Sequence, residues 1–250
     1  MKTQYFKHYS LALSKDMECK VYGHGGHPVI FIPCQNGQYL DFENFKMDQY
    51  WSPWIDTGKV TVFSINTMDI ETYSDKQGDA RKRLERHEQW IRYITQEFAP
   101  FIEKTMNEMN GTTGHVGIGV FGCSLGATHA SNLFFRFPFI FDKCLSLSGI
   151  HTATLSFGGH MDDLIYENSP DLYLANMPKD HPYIEQYNKN QGIICVGRGA
   201  WEVPEKTERI GQICRDKGIN VWVDLWGPDS KHDWDWWYKQ VEYFLPYLYN

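Results

Sequence analysis

Six short apolar runs recur along the chain: PVIFI (28–32), VTVFSI (60–65), HVGIGVF (115–121), KCLSL (143–147), GIICV (192–196) and INVWVDL (219–225). Each is too short for a buried helix and apolar on successive positions, the pattern of a strand covered on both faces. Between them lie segments with helical spacing. From 79 to about 109 the residues Leu84, Trp90, Ile91, Ile94, Phe98 and Ile102 recur on one face, with Pro100 expected to kink or divide the helix. Residues 127–135 read as a helix, and 204–217 as another that stops at Gly218. In the closing segment WDWWYKQVEYFLPYLYN, Trp234, Trp237, Val241, Phe244, Leu245 and Leu248 share a face. Ahead of all this, YFKHYSLAL and MECKVYG alternate as two antiparallel strands around a turn at 14–16. Strands alternating with helices specify an α/β fold: a mostly parallel central sheet, helices on both faces and an antiparallel N-terminal hairpin.

With 250 residues, 42% of them hydrophobic, residues 1–250 are expected to form one domain. The alternation breaks at about 150–190, an aromatic and turn-rich stretch that reads as a lid-like insertion over the carboxyl ends of the strands. The net charge of −7 is interspersed, without the basic face that nucleic-acid binding requires. No run approaches the roughly 18 apolar residues of a membrane helix. The first twenty residues lack the apolar core of a signal peptide, and the six cysteines are scattered singly, as free thiols are. A cytoplasmic protein is the expectation. The aromatic carboxyl-terminal tail leaves room for a homo-oligomer.

One junction carries chemistry. Gly122-Cys123-Ser124-Leu125-Gly126 follows the run 115–121 and precedes a helix. A serine on so sharp a strand-to-helix turn needs small flanking residues, and the turn lifts its hydroxyl above the sheet. A hydroxyl becomes a nucleophile only beside a base. His232, after the last strand, reaches the same sheet edge. The loop GRGAWEVP after 192–196 supplies Glu202 to hold the imidazole in the right tautomer. Asp224, Asp233, Asp163 and Asp171 are its rivals. Two backbone N–H groups are needed for an oxyanion: Leu125, next to the serine, and Gln35 in PCQNG, with Cys34 as the alternative, since Pro33 has no N–H.

Taken together, GCSLGATHA (122–130), IICVGRGAWE (193–202) and KGINVWVDLWGPDSKHDW (217–234) resemble the α/β-hydrolase superfamily, and more narrowly its Putative esterase branch with the esterase D-like proteins. FIPCQNG, the helix RHEQWIRYITQEFAPFI and SLSG add to the likeness, which spans most of the chain. The resemblance implies an α/β-hydrolase fold and a serine carboxylesterase that needs no cofactor and no metal, acting on a small-molecule ester through Ser124, His232 and Glu202. Two departures are visible: Ala127 stands where a second glycine is usual, and the acid is Glu instead of Asp, slightly late in its loop. An acyltransferase with the same triad, or a catalytically silent binding protein on this scaffold, stand as alternatives. Trp201, Phe157, Tyr166 and Tyr173 are expected to line the substrate pocket.

The remaining motifs read structurally. GHGGH (23–27) precedes its strand and lacks further metal ligands, so it is expected to be a hairpin turn. Gly117, Gly119 and Gly122 spell G-x-G-x-x-G, but the first two lie inside the apolar run instead of opening a helix. Cys123 is expected to point away from the serine, and two of Trp234, Trp236 and Trp237 to pack in the core.

Overall fold

The computed structural model describes residues 1–250. In chain order the elements are β1 (Thr3–Ser10), β2 (Lys15–Tyr22), β3 (His27–Ile32), α1 (Asp41–Asn44), α2 (Met47–Ile55), β4 (Val60–Ile65), α3 (Ala80–Arg92), α4 (Ala99–Asn110), β5 (Ile118–Cys123) and α5 (Leu125–Arg136). There follow β6 (Phe141–Leu147), α6 (Asp163–Glu167), α7 (Pro170–Asn176), α8 (Pro182–Lys189), β7 (Gln191–Val196), α9 (Pro204–Lys217), β8 (Val221–Leu225) and α10 (Trp234–Leu248). The eight strands form one sheet in the order β1-β2-β4-β3-β5-β6-β7-β8. β3 through β8 run parallel, and β1 and β2 are antiparallel at one edge.

The parallel strands are largely apolar on successive positions because alternate residues feed two cores. Ile30, Ile32 and Val120 pack with Trp90, Ile94 and Ile102 of the 80–110 helical stretch, Leu133 of α5 and Ile210 of α9. Val29, Phe31 and Phe121 face the other way, against Trp51 of α2 and Trp237, Val241 and Phe244 of α10. Leu248 and Tyr249 are also buried there, so the aromatic tail serves this chain's own core. Cys123 packs in that same core, away from the hydroxyl of Ser124.

Prolines decide the local exceptions. Residues 93–98 form a turn of π-helix between α3 and α4, so the helix expected over 79–109 is continuous but rewound just ahead of Pro100. The wider turn accommodates a ring that cannot donate to the carbonyl four residues back. α2 was not foreseen, because Pro53 inside MDQYWSPWI reads as a breaker. An interior proline costs about 3 kcal/mol, whereas burying Met47 and Ile55 contributes roughly 1.5–3 kcal/mol each, with Trp51 in addition. The carbonyl of Gln49, robbed of its donor by Pro53, accepts the Ser52 hydroxyl at 2.7 Å.

Two turns differ from expectation. The first hairpin turns at 11–14 with Ser14 left-handed, because buried Leu13 anchors the turn instead of extending the strand. GHGGH is not a hairpin turn, since β2 and β3 do not pair and β4 lies between them. The segment crosses the end of β4, where Gly25 N–H donates to Thr61 Oγ1 and Gly26 N–H to Asn110 Oδ1.

Three histidines are buried in the fold, and two of them make no ion pair. His87 of α3 packs against Tyr73, Trp90 and His129, and His151 lies between the hydroxyls of Ser131 and Thr207. Burial pushes His87 well below the ordinary histidine range and His151 down to about 3. Below pH ~6.5 the unfolded chain takes up protons at these rings and the native chain does not. Stability therefore falls with pH by about 1.4 kcal/mol per unit for each neutral ring. The urea midpoint should be level above pH ~7 and drop steeply between pH ~6 and ~5. A midpoint unchanged over that range would mean that the native state protonates both rings.

Candidate active site

Parallel strands bring their following loops to one edge of the sheet, and six loops meet there. Ser124 leaves β5 with φ 57° and ψ −126°, a region that costs a residue with a Cβ of order 1–3 kcal/mol. The glycines either side make the turn possible. A Cβ on Gly122 would lie 2.4 Å from the carbonyl carbon of Gly126, and one on Gly126 would lie 2.2 Å from Ile32 O. Both obstacles are backbone and cannot swing aside. Gly126→Ala should accordingly lower stability by roughly 1–3 kcal/mol, read as a lower urea midpoint. A variant as stable as the parent would show that the elbow tolerates a wider turn.

His232 Nε2 lies 2.9 Å from Ser124 Oγ, and His232 Nδ1 lies 3.1 Å from Glu202 Oε2. The loops that carry the acid and the histidine are zipped together: Arg198 N–H donates to Gly227 O, Gly199 N–H to Ser230 O at 2.8 Å, and His232 N–H to Ala200 O at 3.0 Å. That pairing lets an acid late in its loop arrive at the ring. The Glu202 side chain is only 1% exposed, so its charge must be satisfied internally. Its Oε1 accepts the Ser148 hydroxyl at 2.7 Å and the Gly197 N–H at 3.2 Å. Ser148 in turn accepts Trp237 Nε1–H at 3.0 Å, giving the buried tryptophan of α10 a polar task beside its packing. The rival acids sit elsewhere. Asp224 belongs to β8, Asp233 caps α10 through Trp234 N–H, Asp163 pairs with Arg81, and Asp171 lies in α7.

A cavity of about 190 Å³ opens over the serine, lined by Ser124, Leu125, His232, Ser148 and Thr128, with Gln35, Tyr73 and Lys76 from the loops after β3 and β4. Ile150 and Ser156, between β6 and α6, complete the wall. Neither Leu125 N–H nor Gln35 N–H has an acceptor within the chain. The Gln35 loop is braced from the β4 side. Asn36, left-handed at φ 63°, donates its N–H to Asp69 Oδ2 at 3.0 Å, and Gln35 Nε2 donates to Ser74 Oγ at 2.7 Å. Asp69 Oδ1 meets His129 Nε2 of α5 at 2.9 Å, with both side chains 2% exposed. Although burial acts against it, the combined charge and hydrogen bond of His129 hold the Asp69 carboxyl below its usual range. One buried pair thus ties the helix behind the serine to the loop that faces it.

Four expected pocket residues are not at this cavity. Trp201 is left-handed and 88% exposed, because a tight turn that sends Glu202 inward sends its neighbour out. Phe157 is buried beneath the wall, with the Arg83 guanidinium over its ring at 4.5 Å. Tyr166 and Tyr173 line a different depression beside α8, and the Tyr173 hydroxyl donates to Asn132. Cys34 does not line the cavity either, and burial pushes its thiol up to about 12. Sequence reasoning missed Ser148, Asp69, Tyr73 and Lys76. Only Ser148 left a trace, in the SLSG that closes β6.

A serine on a strand-to-helix elbow, with an acid after β7 and a histidine after β8, marks an α/β-hydrolase fold and a serine ester hydrolase. The "Putative esterase" family model matches residues 10–243, and the chain belongs to that family. Among solved structures it is similar to a ferulic acid esterase, at 16% identity and a TM-score of 0.75, over 99% of this chain and 98% of that one. An S-formylglutathione hydrolase from Agrobacterium tumefaciens shares 14% identity at a TM-score of 0.68, covering 98% and 92%. The fluorophosphonate-binding serine hydrolase FphF of Staphylococcus aureus shares 13% at 0.68, covering 100% and 98%. No curated protein sequence matches the chain. No helix is long and apolar enough to cross a membrane.

Proposed function

We propose that the chain hydrolyses short-acyl carboxylic esters with Ser124 as nucleophile, His232 as general base and acid, and Glu202 as the group that orients the ring. The observation that carries this reading is the Ser124–His232–Glu202 relay, at 2.9 and 3.1 Å, opening into a cavity. Glu202 accepts from Nδ1–H, which leaves the Nε2 lone pair for the serine proton. Ser124 Oγ attacks the ester carbonyl while Nε2 takes its proton. The oxyanion forms against Leu125 N–H and Gln35 N–H. The imidazolium then protonates the departing alkoxide, and water, deprotonated by the same nitrogen, releases the acid from the acyl-enzyme.

Size and polarity support a short acyl group. The cavity of about 190 Å³ is little larger than the roughly 150 Å³ that holds a benzene, which favours a short acyl group in the space over Ser124. Most of the lining residues carry hydroxyl, amide, imidazole or ammonium groups, and the tyrosines of the insertion lie apart at the depression beside α8. The test is intact mass after treatment with a fluorophosphonate, followed by peptide mapping. A single adduct on Ser124 is expected. A folded chain that takes no adduct, or takes it elsewhere, would sink the reading.

A further inference from the structure

We propose that this site selects esters bearing an anionic group, such as a carboxylate, a few atoms from the scissile carbonyl, and that Lys76 receives it. The inference rests on the esterase reading above and adds the chemical class of the substrate.

Lys76 is the one residue of permanent charge lining the cavity, and no carboxylate lines it. Glu202 is turned beneath it towards His232 and Ser148. The ammonium is held at a defined place. It donates to Tyr73 O at 2.8 Å and to Ser156 O at 3.3 Å, carbonyls of two residues that themselves line the cavity. An ammonium has three N–H donors and no acceptor, so one remains for a ligand. The neighbouring Asp75 makes no ion pair with it: its Oδ1 accepts the backbone N–H groups of Gln77 and Gly78 instead. In a chain of net charge −7, a fixed cation lining the nucleophile's cavity reverses the sign that an incoming anion meets there.

A purely structural Lys76 would be a clamp between the loop after β4 and the insertion. That clamp already exists. Arg83 donates to Thr72 O at 2.8 Å and to Ser156 O at 3.0 Å, and covers the Phe157 ring outside the cavity. Lys76 therefore adds a charge at the cavity to a wall that Arg83 already holds through Ser156 O.

The experiment compares kcat/KM for matched anionic and neutral esters, corrected for spontaneous hydrolysis. On the acyl side the pair is mono-4-nitrophenyl glutarate and 4-nitrophenyl butyrate. On the alcohol side it is 4-acetoxybenzoate and 4-acetoxybenzamide. The anionic-to-neutral ratio of one pair is expected to fall by about tenfold or more in Lys76→Met, to stay within about threefold of wild type in Lys76→Arg, and to shrink in wild type with added salt. Loss of a clamp slows both members of a pair alike and leaves the ratio standing. Ratios unchanged in Lys76→Met for both pairs, with Ser124 still labelled by a fluorophosphonate, overturn this inference and leave the esterase intact. A wild type that neither labels nor turns over any of the four esters removes both.

Discussion

Ser124→Ala is expected to reduce turnover of 4-nitrophenyl acetate by on the order of 10⁶, leaving a residual rate from binding and the oxyanion site. The expectation follows from the single hydroxyl within 2.9 Å of His232 Nε2. No other nucleophile is placed to replace it. Cys123 is fully buried in the opposite core, its thiol held protonated by burial, and Cys34 does not line the cavity. The substitution removes one atom from a turn already shaped by Gly122 and Gly126, so the urea midpoint should barely move. Stability and activity then separate, which distinguishes a lost nucleophile from a lost fold. A variant that retains more than about a hundredth of wild-type turnover would place the nucleophile elsewhere.

The second large effect belongs to Glu202. Glu202→Gln should lower kcat by on the order of 10⁴ with little change in KM, because the acid acts through the ring and not on the substrate. An amide can donate its N–H to His232 Nδ1, fixing the tautomer that has a proton on Nε2 and no lone pair for Ser124. Glu202→Ala removes the acceptor for Ser148, Gly197 and His232 together, so it should also cost stability. Kinetics on both variants, beside thermal melts, separate the two roles. Should Glu202→Gln keep a tenth of wild-type kcat, another group orients the histidine.

Much of this was legible in the chain. The parallel order followed from the six apolar runs, since a strand buried on both faces has no polar alternation. The elbow was legible because glycine, serine and glycine at 122, 124 and 126 are a steric demand that any strand-to-helix turn of this kind makes. His232 and Glu202 followed from topology alone: loops after parallel strands share an edge, so a residue after β7 and one after β8 reach a serine after β5. Other features left no such mark. α2 hides behind Pro53, whose penalty is outweighed by burial that exists only in the folded core. Trp201, Phe157, Tyr166 and Tyr173 were expected at the pocket because the insertion is aromatic, but composition does not say which way a ring points. In the fold those rings turn to solvent, to a satellite core and to a separate depression.

The amino-acid order by itself thus determined the sheet, the elbow and the loops that bring Ser124, His232 and a choice of acids to one edge, because periodicity, turn sterics and parallel topology act locally or along strand order. Only tertiary structure decided what surrounds them. Asp69 reaches Asn36 across 33 positions, Ser148 reaches Glu202 across 54, and Lys76 reaches Ser156 across 80. These contacts obey no spacing along the chain. They exist because loops from separate strands are packed onto one sheet edge, where a buried carboxylate or an unpartnered N–H must find whichever group the fold has brought within hydrogen-bond reach.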